Sequence, residues 1–488
     1  MTERAECGRL SESIVRVLPA LERFNQFDGP DMAGPHRASW RKLLDQPLPE
    51  RGQGLDRVAG ELQDVVIANG LRIGAPGFAG WVTTAPTTSG TLASVSALVA
   101  GAQRFWVTPY NYLETVALRW LAELLGIDRK LQGLFVSGGS VANLVAIGAA
   151  RQRALERRGF DSARDGMPAH ARCRVYASVE VHHSVFRAAG ILGIGRNNVV
   201  RLPVDDDMRI NLGALEEALT RDARDGLIAV AIVANAGTVN TGAVDPIGAL
   251  GVIARRHNVW LHVDGAYGLF GRLDPSVAPL YEGLEEADSV VVDPHKWLAA
   301  PPGSGAVFVR DQALQERAFT MEPADYTTSA VEDGEINSTF DSPGEAYLQI
   351  GPEMSAQSRG VAVWAILKEI GAQGMRERVI RHNGFARRVF ELATADERLE
   401  PLHRPALSIC CYRYALPGAS DSMLDALNAE IAQRLRVEGI VPSTTRVRGA
   451  HAIRPCFINP RTKMADVERM VARTREIGDA LAAAVPAG

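Results

Sequence analysis

Eight consecutive apolar residues, Leu227 to Ala234, constrain this chain more than any other feature. A run of that length without polar alternation suits a strand covered on both faces. Such strands belong to mostly parallel sheets packed between helices. Shorter runs repeat the signal at Leu134-Phe135-Val136, Val175-Tyr176-Ala177-Ser178, Val259 to Val263 and Ser289 to Val292. Helical stretches such as Val141 to Leu155 lie between them. Repeated strand–helix units predict an α/β fold with a mainly parallel sheet. Ala306 to Val309, after a Pro-Pro-Gly-Ser-Gly turn, is predicted as an antiparallel neighbour.

The ends of the chain read differently. Leu10, Ile14, Val17, Leu18 and Leu21 recur at helical spacing, with Pro19 predicted to interrupt. This amphipathic segment needs a partner for its apolar face. Beyond about residue 365, a helix (Trp364 to Ile370), an apolar run (Leu407 to Tyr412) and a helix near Ser422 to Glu438 suggest a smaller α+β domain. The chain thus divides at about 1–75, 76–365 and 366–488.

Composition narrows the function. Among 488 residues, 46% are hydrophobic and 23% charged, which excludes disorder as the main state. Lys plus Arg number 53 against 57 acids, a net charge of −4, so no nucleic-acid footprint is present. Arg151, Arg153, Arg157 and Arg158 read as a solvated helix face. Cys7, Cys173, Cys410, Cys411 and Cys456 lack metal-ligand spacing and read as reduced thiols of a cytoplasmic protein, with no metal expected. No signal peptide and no apolar run long enough for a membrane are visible.

In open α/β sheets ligands bind at the carboxyl ends of strands. Four polar groups follow predicted strands. Ser137-Gly138-Gly139-Ser140 opens a helix, where backbone N–H groups can hold a phosphate; alone, it is equally an ordinary tight turn. His182 and His183 follow Val175–Ser178. A histidine there can stack on a flat cofactor or move a proton, although a packed loop histidine fits too. Asp264 closes Trp260–Val263, and Ala266 beside it could lie against a ring. By itself Asp264 also reads as a helix cap. Lys296, between His295 and Trp297, can form a Schiff base, although a lone lysine is usually a surface charge. Taken together in this order, they are the parts a pyridoxal phosphate (PLP) site needs.

Three motifs make the chain resemble the group II PLP-dependent amino acid decarboxylases. They are His262-Val263-Asp264-Gly265-Ala266-Tyr267-Gly268, Asp293-Pro294-His295-Lys296-Trp297-Leu298 and Ser137-Gly138-Gly139-Ser140-Val141-Ala142-Asn143-Leu144. The resemblance runs from about Pro76 to Pro460. It implies the PLP-dependent transferase fold type I, aminotransferase-like: a mainly parallel seven-stranded sheet in the large domain and a smaller C-terminal α+β domain. It also implies a homodimer with the active site at the interface, wrapped by the N-terminal helices. On the residues, it implies Lys296 as the internal aldimine and Asp264 on the pyridine nitrogen. His182 would stack on one ring face with Ala266 beneath the other. Gly139, Ser140, Thr238 and His295 would hold the phosphate. The implied reaction is decarboxylation of an L-amino acid to CO2 and an amine, through external aldimine and quinonoid.

The sequence departs from the family at three places, one of them the family's Arg-Arg-x-x-Ala-Leu-Lys-like run, which here reads Ser358-Arg359-Gly360-Val361-Ala362-Val363-Trp364. Asp293 stands where some members carry Asn. The family's loop tyrosine, which reprotonates the quinonoid, aligns with Phe340 by one gapped comparison and with Tyr347 by another. A Phe there would favour oxidation to an aldehyde. Trp81 and Thr83, with Phe105 and Trp106 from a partner subunit, are expected to contact an aromatic or apolar substrate side chain, or else are simply core.

Overall fold

The structure is a computed structural model, and it describes residues 10–26, 39–103, 109–319, 347 and 350–484. Twelve strands are described: β1 (Phe78–Ala79), β2 (Gln132–Val136), β3 (Cys173–Ser178), β4 (Val199–Leu202), β5 (Ile228–Asn235), β6 (Trp260–Asp264), β7 (Ser289–Val292), β8 (Gly305–Val309), β9 (Leu399–Pro401), β10 (Tyr412–Tyr414), β11 (Val441–Val447) and β12 (Ala450–Arg454). Seven of them form one sheet in the order β2-β8-β7-β6-β5-β3-β4. The pairs β3/β4, β3/β5, β5/β6 and β6/β7 are parallel. Strand β8 runs against both neighbours, β7 and β2. This is the mainly parallel seven-stranded α/β sheet expected, with the antiparallel strand at Ala306–Val309.

The apolar runs lie where a doubly covered sheet requires them. Every residue of β6, β7 and β8 is buried. Helices Gly139–Glu156, His183–Ile191 and Ile247–His257 supply the cover. The strand missed by inspection is β4. It is four residues long, lies at the sheet edge and carries exposed Arg201, so its run is broken.

The remaining strands form a second sheet, β1-β11-β12-β10-β9. Phe78 and Ala79 pair in parallel with Val441 and Pro442. An early segment thereby closes the edge of a sheet built from the last quarter of the chain. The apolar run at Leu407–Tyr412 forms its strand later than expected, at Tyr412–Tyr414, with Ile409 bridged singly to Cys456. Helix Asp421–Val437 covers this sheet together with Met464–Ala483, enclosing Phe385, Ile431, Leu435 and Phe457. The segment Gly360–Ala395 is helical on both sides of a break at Gly371, whose φ of 65° suits glycine.

Two local expectations need correction. Pro19 does not interrupt its helix, which continues from Leu10 to Phe24. Val15, four residues back, is 62% exposed, so water can serve the carbonyl that the proline leaves unpaired. The arginine cluster is not a uniformly solvated face. Arg153 lies over the Trp260 ring at 4.7 Å and bonds Asp288, and Arg151 donates to the Leu192 carbonyl. Their long stems cover apolar surface while the guanidinium groups find acceptors. The four described cysteines, Cys173, Cys410, Cys411 and Cys456, are free thiols and buried. No helix among the described residues is long and apolar enough to cross a membrane.

Candidate active site

The carboxyl edge of the seven-stranded sheet opens into a cavity of about 540 Å³. Strand ends deliver its chemistry. Ser137 follows β2, Asp264 ends β6, and Asp293 to Lys296 follow β7. His182 comes four residues after β3, where it caps the helix His183–Ile191 by accepting the Ser184 N–H at Nδ1.

Gly138 turns the chain from β2 into helix Gly139–Glu156. Its φ of 142° is one that side chains avoid, and the next residue starts the helix. The helix N-terminus therefore faces the cavity at Gly139 and Ser140. Thr238 is 1% exposed. Its hydroxyl accepts the Ala243 N–H and lies 3.0 Å from that of Thr241. His295 donates from Nδ1 to the Ser304 carbonyl at 2.6 Å.

Asp264 is 7% exposed at the cavity wall. Its Oδ2 accepts from Asn143 Nδ2 at 3.0 Å, and its Oδ1 accepts the Ala266 N–H at 3.2 Å. Lys296 Nζ lies 3.0 Å from Asp293 Oδ2. The other oxygen, Asp293 Oδ1, is buried without a hydrogen-bond partner. Burial holds the His182 imidazole below its ordinary pKa; the Asp264 charge opposes that shift.

The structure brings together Gly139, Ser140, His182, Thr238, Asp264, Ala266, His295, Lys296 and Trp81 around one cavity. Thr83 is half-buried and is not one of the lining residues. Tyr347 is 3% exposed, with its hydroxyl 2.7 Å from that of Thr115, and it too is absent from the lining. Phe340, Phe105 and Trp106 fall outside the described residues.

Several lining residues were not picked out from the sequence: Asn143, Asn235, Asn240, Ser443, Thr445 and Arg454. Arg454, 4% exposed, donates to the carbonyls of Trp81, Val239 and Asn240. It stands near the end of the Pro76–Pro460 span over which the family resemblance runs, and that resemblance was the available signal. Ser443 accepts the Trp81 N–H at 2.5 Å. Trp81 is held by these contacts at φ 49°, an uncommon conformation for tryptophan that marks the site as over-determined.

The donor set fits pyridoxal phosphate. A helix N-terminus, two hydroxyls and an imidazole suit a phosphate. A lysine suits the aldehyde, a buried carboxylate suits a protonated ring nitrogen, and Ala266 leaves room for a flat ring. The glycine cradle agrees: a Cβ on Gly139 would meet Asp293 Oδ2 at 2.8 Å and Ala266 Cβ at 3.2 Å.

An α/β sheet with these groups at its strand ends defines a fold-type-I PLP enzyme. The pyridoxal-dependent decarboxylase conserved domain matches residues 37–415 of the chain. The chain belongs to that family, and is a PLP-dependent carboxy-lyase that decarboxylates an amino acid. It is 29% identical over 455 residues to an aromatic-L-amino-acid decarboxylase of Bacillus atrophaeus, covering 91% of this chain and 90% of that one. It is 25% identical over 434 residues to a phenylacetaldehyde synthase of Arabidopsis thaliana, covering 86% of each. Among solved structures, Oryza sativa TDC with PLP and tryptamine superposes with a TM-score of 0.86, covering 97% of this chain and 99% of that one at 22% identity.

Proposed function

We propose that this enzyme decarboxylates an L-amino acid with an aromatic or apolar side chain, releasing CO2 and an amine. The observation that carries the substrate class is Trp81, fixed by Ser443 and Arg454 beside Val82 on the cavity wall. An indole face carried on a pinned backbone favours a flat, apolar side chain. The likeness to an aromatic-L-amino-acid decarboxylase supports the same reading.

Each residue has a role in this reading. Lys296 would hold the cofactor aldehyde. Asp264 would keep the ring nitrogen protonated. Gly139, Ser140, Thr238 and His295 would hold the phosphate, and Ala266 and His182 would flank the ring. Bound there, PLP supplies an electron sink for the pair released when CO2 leaves. The chain's own task would be to orient the substrate carboxylate for loss of CO2 and to return one proton to the α-carbon.

The enzyme is proposed to be a homodimer. Leu10, Ile14, Leu18 and Leu21 of helix Leu10–Phe24 are 38–51% exposed, as are Leu55, Val58 and Leu62 beyond it at 42–49%. Leu92, Leu98 and Val99 of helix Thr88–Val99 are 64–70% exposed. So much apolar surface favours burial against a second copy.

Borohydride reduction followed by peptide mapping tests the cofactor assignment. The pyridoxyl adduct is expected on Lys296, and an adduct on another lysine overturns it. Carbon dioxide release from a panel of L-amino acids plus 2,4-diaminobutyrate tests the substrate class. Turnover confined to acidic or diamino substrates overturns the aromatic reading.

A second reading concerns the product. The Tyr347 hydroxyl is engaged by Thr115 away from the cavity lining, which favours Phe340 as the residue at the tyrosine position. Loss of one general acid slows proton return by about 10²–10⁴-fold. Oxygen then competes: the amino acid, O2 and water give an aldehyde, CO2, ammonia and hydrogen peroxide. The relative named phenylacetaldehyde synthase supports this reading. Amine, aldehyde and peroxide are measured together for wild type and Phe340→Tyr. Aldehyde from wild type and amine from the variant support it; amine from both overturns it.

A further inference from the structure

Behind the cavity wall runs a chain of buried polar groups with one consistent direction. Trp260 Nε1 can only donate, and it donates to Ser289 Oγ at 2.7 Å. The Ser289 hydroxyl proton is then free for His262 Nδ1, 2.8 Å away. His262 is neutral near pH 7, since burial pushes its pKa down to about 4. With Nδ1 accepting, its proton sits on Nε2 and points to Asn143 Oδ1 at 2.7 Å. That fixes the Asn143 amide, whose Nδ2 donates to Asp264 Oδ2 at 3.0 Å and to Ser184 Oγ at 2.9 Å. The Ser184 hydroxyl proton turns to His182 Nδ1 at 2.8 Å, which also accepts the Ser184 N–H.

Both ends agree on this polarity. The indole is donor-only and the carboxylate is acceptor-only. A flipped Asn143 amide would set its oxygen against Asp264 and its N–H₂ against the His262 N–H. Asn143, Ser184, His262 and Ser289 are each no more than 2% exposed, so water cannot scramble the order.

We propose that Asn143 is the positioning residue of this active site: its one amide orients Asp264 directly and His182 through Ser184. The neutral His182 carries its proton on Nε2. That nitrogen has no hydrogen-bond partner among the described residues, and the imidazole lines the cavity. His182 therefore presents a hydrogen-bond donor to whatever occupies the cavity. A substrate carboxylate or a carbanion is the complementary group; an N–H is not. The chain begins at Trp260 and passes through Ser289, and neither is one of the cavity's lining residues.

The proposal rests on the reading of Asp264 as the partner of the cofactor ring, and its test separates the two. Nitrogen-15 histidine spectra of the full-length chain, with and without cofactor, report the His182 tautomer; the signal is identified by its loss in His182→Gln. An unprotonated Nδ1 and a protonated Nε2 are expected in both forms. The opposite tautomer overturns the proposal, whatever Lys296 mapping gives. Cofactor dissociation constants are then measured by equilibrium dialysis for Asn143→Leu, Ser289→Ala and the double variant. Asn143→Leu is expected to weaken binding by about ten- to a hundredfold, and Ser289→Ala by less. Ser289→Ala is expected to add nothing once Asn143 is gone. Additive effects overturn the chain of orientation. If Asn143→Leu does not fold, the near-isosteric Asn143→Asp replaces it. Its carboxylate faces Asp264, so weaker binding is again expected, and unchanged binding overturns the proposal.

Discussion

Trp297 donates its indole N–H to His382 Nδ1 at 2.9 Å, so the residue next to Lys296 is anchored to the helical segment Gly360–Ala395. The indole also stacks on Tyr267 at 5.4 Å and 8°, and the Tyr267 hydroxyl lies 2.6 Å from that of Ser408. Arg378, from the same helical segment, donates to the Leu298 carbonyl at 3.0 Å. The lysine is thus carried on a segment clamped from outside the main sheet. Replacing Trp297 with Phe preserves most of the stack but leaves His382 Nδ1 without its donor. A buried group so stranded costs about 1–3 kcal/mol. Urea unfolding of Trp297→Phe is expected to show that loss, and an unchanged midpoint would mean the hydrogen bond contributes nothing.

Gly305, at the start of β8, tests the phosphate turn. A Cβ there would lie 2.5 Å from the Cα of Gly138 and 2.8 Å from Asp293 Oδ1. The first is backbone and cannot rotate away. Gly305→Ala should therefore displace the turn that starts helix Gly139–Glu156, weakening cofactor binding by at least about tenfold, the effect of 1.4 kcal/mol. Gly303→Ala is not a useful control, because Gly303 has φ 89°. Gly384→Ala is one, since its added Cβ meets nothing within 4 Å. Equal cofactor affinity in Gly305→Ala and wild type contradicts the account.

Much of this site was legible because it is built at the ends of apolar runs. Asp264, Lys296 and Ser137–Ser140 each follow a strand that periodicity identifies, so sequence order alone groups them. Ser443 and Thr445 were illegible for a physical reason. They belong to the second sheet, and nothing local to β11 says which edge of the first sheet they approach. Asn143 stood in the Ser137–Leu144 motif without a role of its own; that role depends on His262 and Asp264 lying on a neighbouring strand. Arg153 misled for a similar cause, as the ring beneath it, Trp260, is 107 residues away in sequence.

Acid should destabilise the fold in a defined window. Burial holds His262 down at about 4 and His382 well below its ordinary value. In the unfolded chain each imidazole takes up a proton near pH 6.5. Between about pH 6.5 and 4 the unfolded state binds more protons, so stability falls as pH falls. Asp245 acts the other way, because burial raises it to about 6 and its folded form gains a proton on acidification. Two imidazoles against one carboxylate leave a net loss of up to about 1.4 kcal/mol per pH unit. His182 and His403, also lowered by burial, add to it. Urea midpoints at pH 7.0, 6.0 and 5.0 should fall in that order, at roughly these rates. A flat or rising series contradicts the sign.

Substrate choice is tested most directly at Trp81. Trp81 is 62% exposed, although its backbone is pinned by Ser443 and Arg454. A side chain held open at a cavity wall, in a conformation that costs about 1–3 kcal/mol, is poor packing but a good platform. Trp81→Ala removes the aromatic face and leaves the lysine, the carboxylate and the phosphate turn untouched. The expected result is a fall in kcat/KM of about ten- to a hundredfold for aromatic amino acids. The loss should appear mainly in KM, because the indole contacts the side chain rather than the bond that breaks. Cofactor absorbance and affinity should stay as in wild type. Trp81→Gly also relieves the left-handed backbone at φ 49°. It should therefore be more stable than Trp81→Ala while sharing its kinetic defect. If both variants turn over aromatic substrates as wild type does, Trp81 is a packing residue and the preference must arise elsewhere in the cavity.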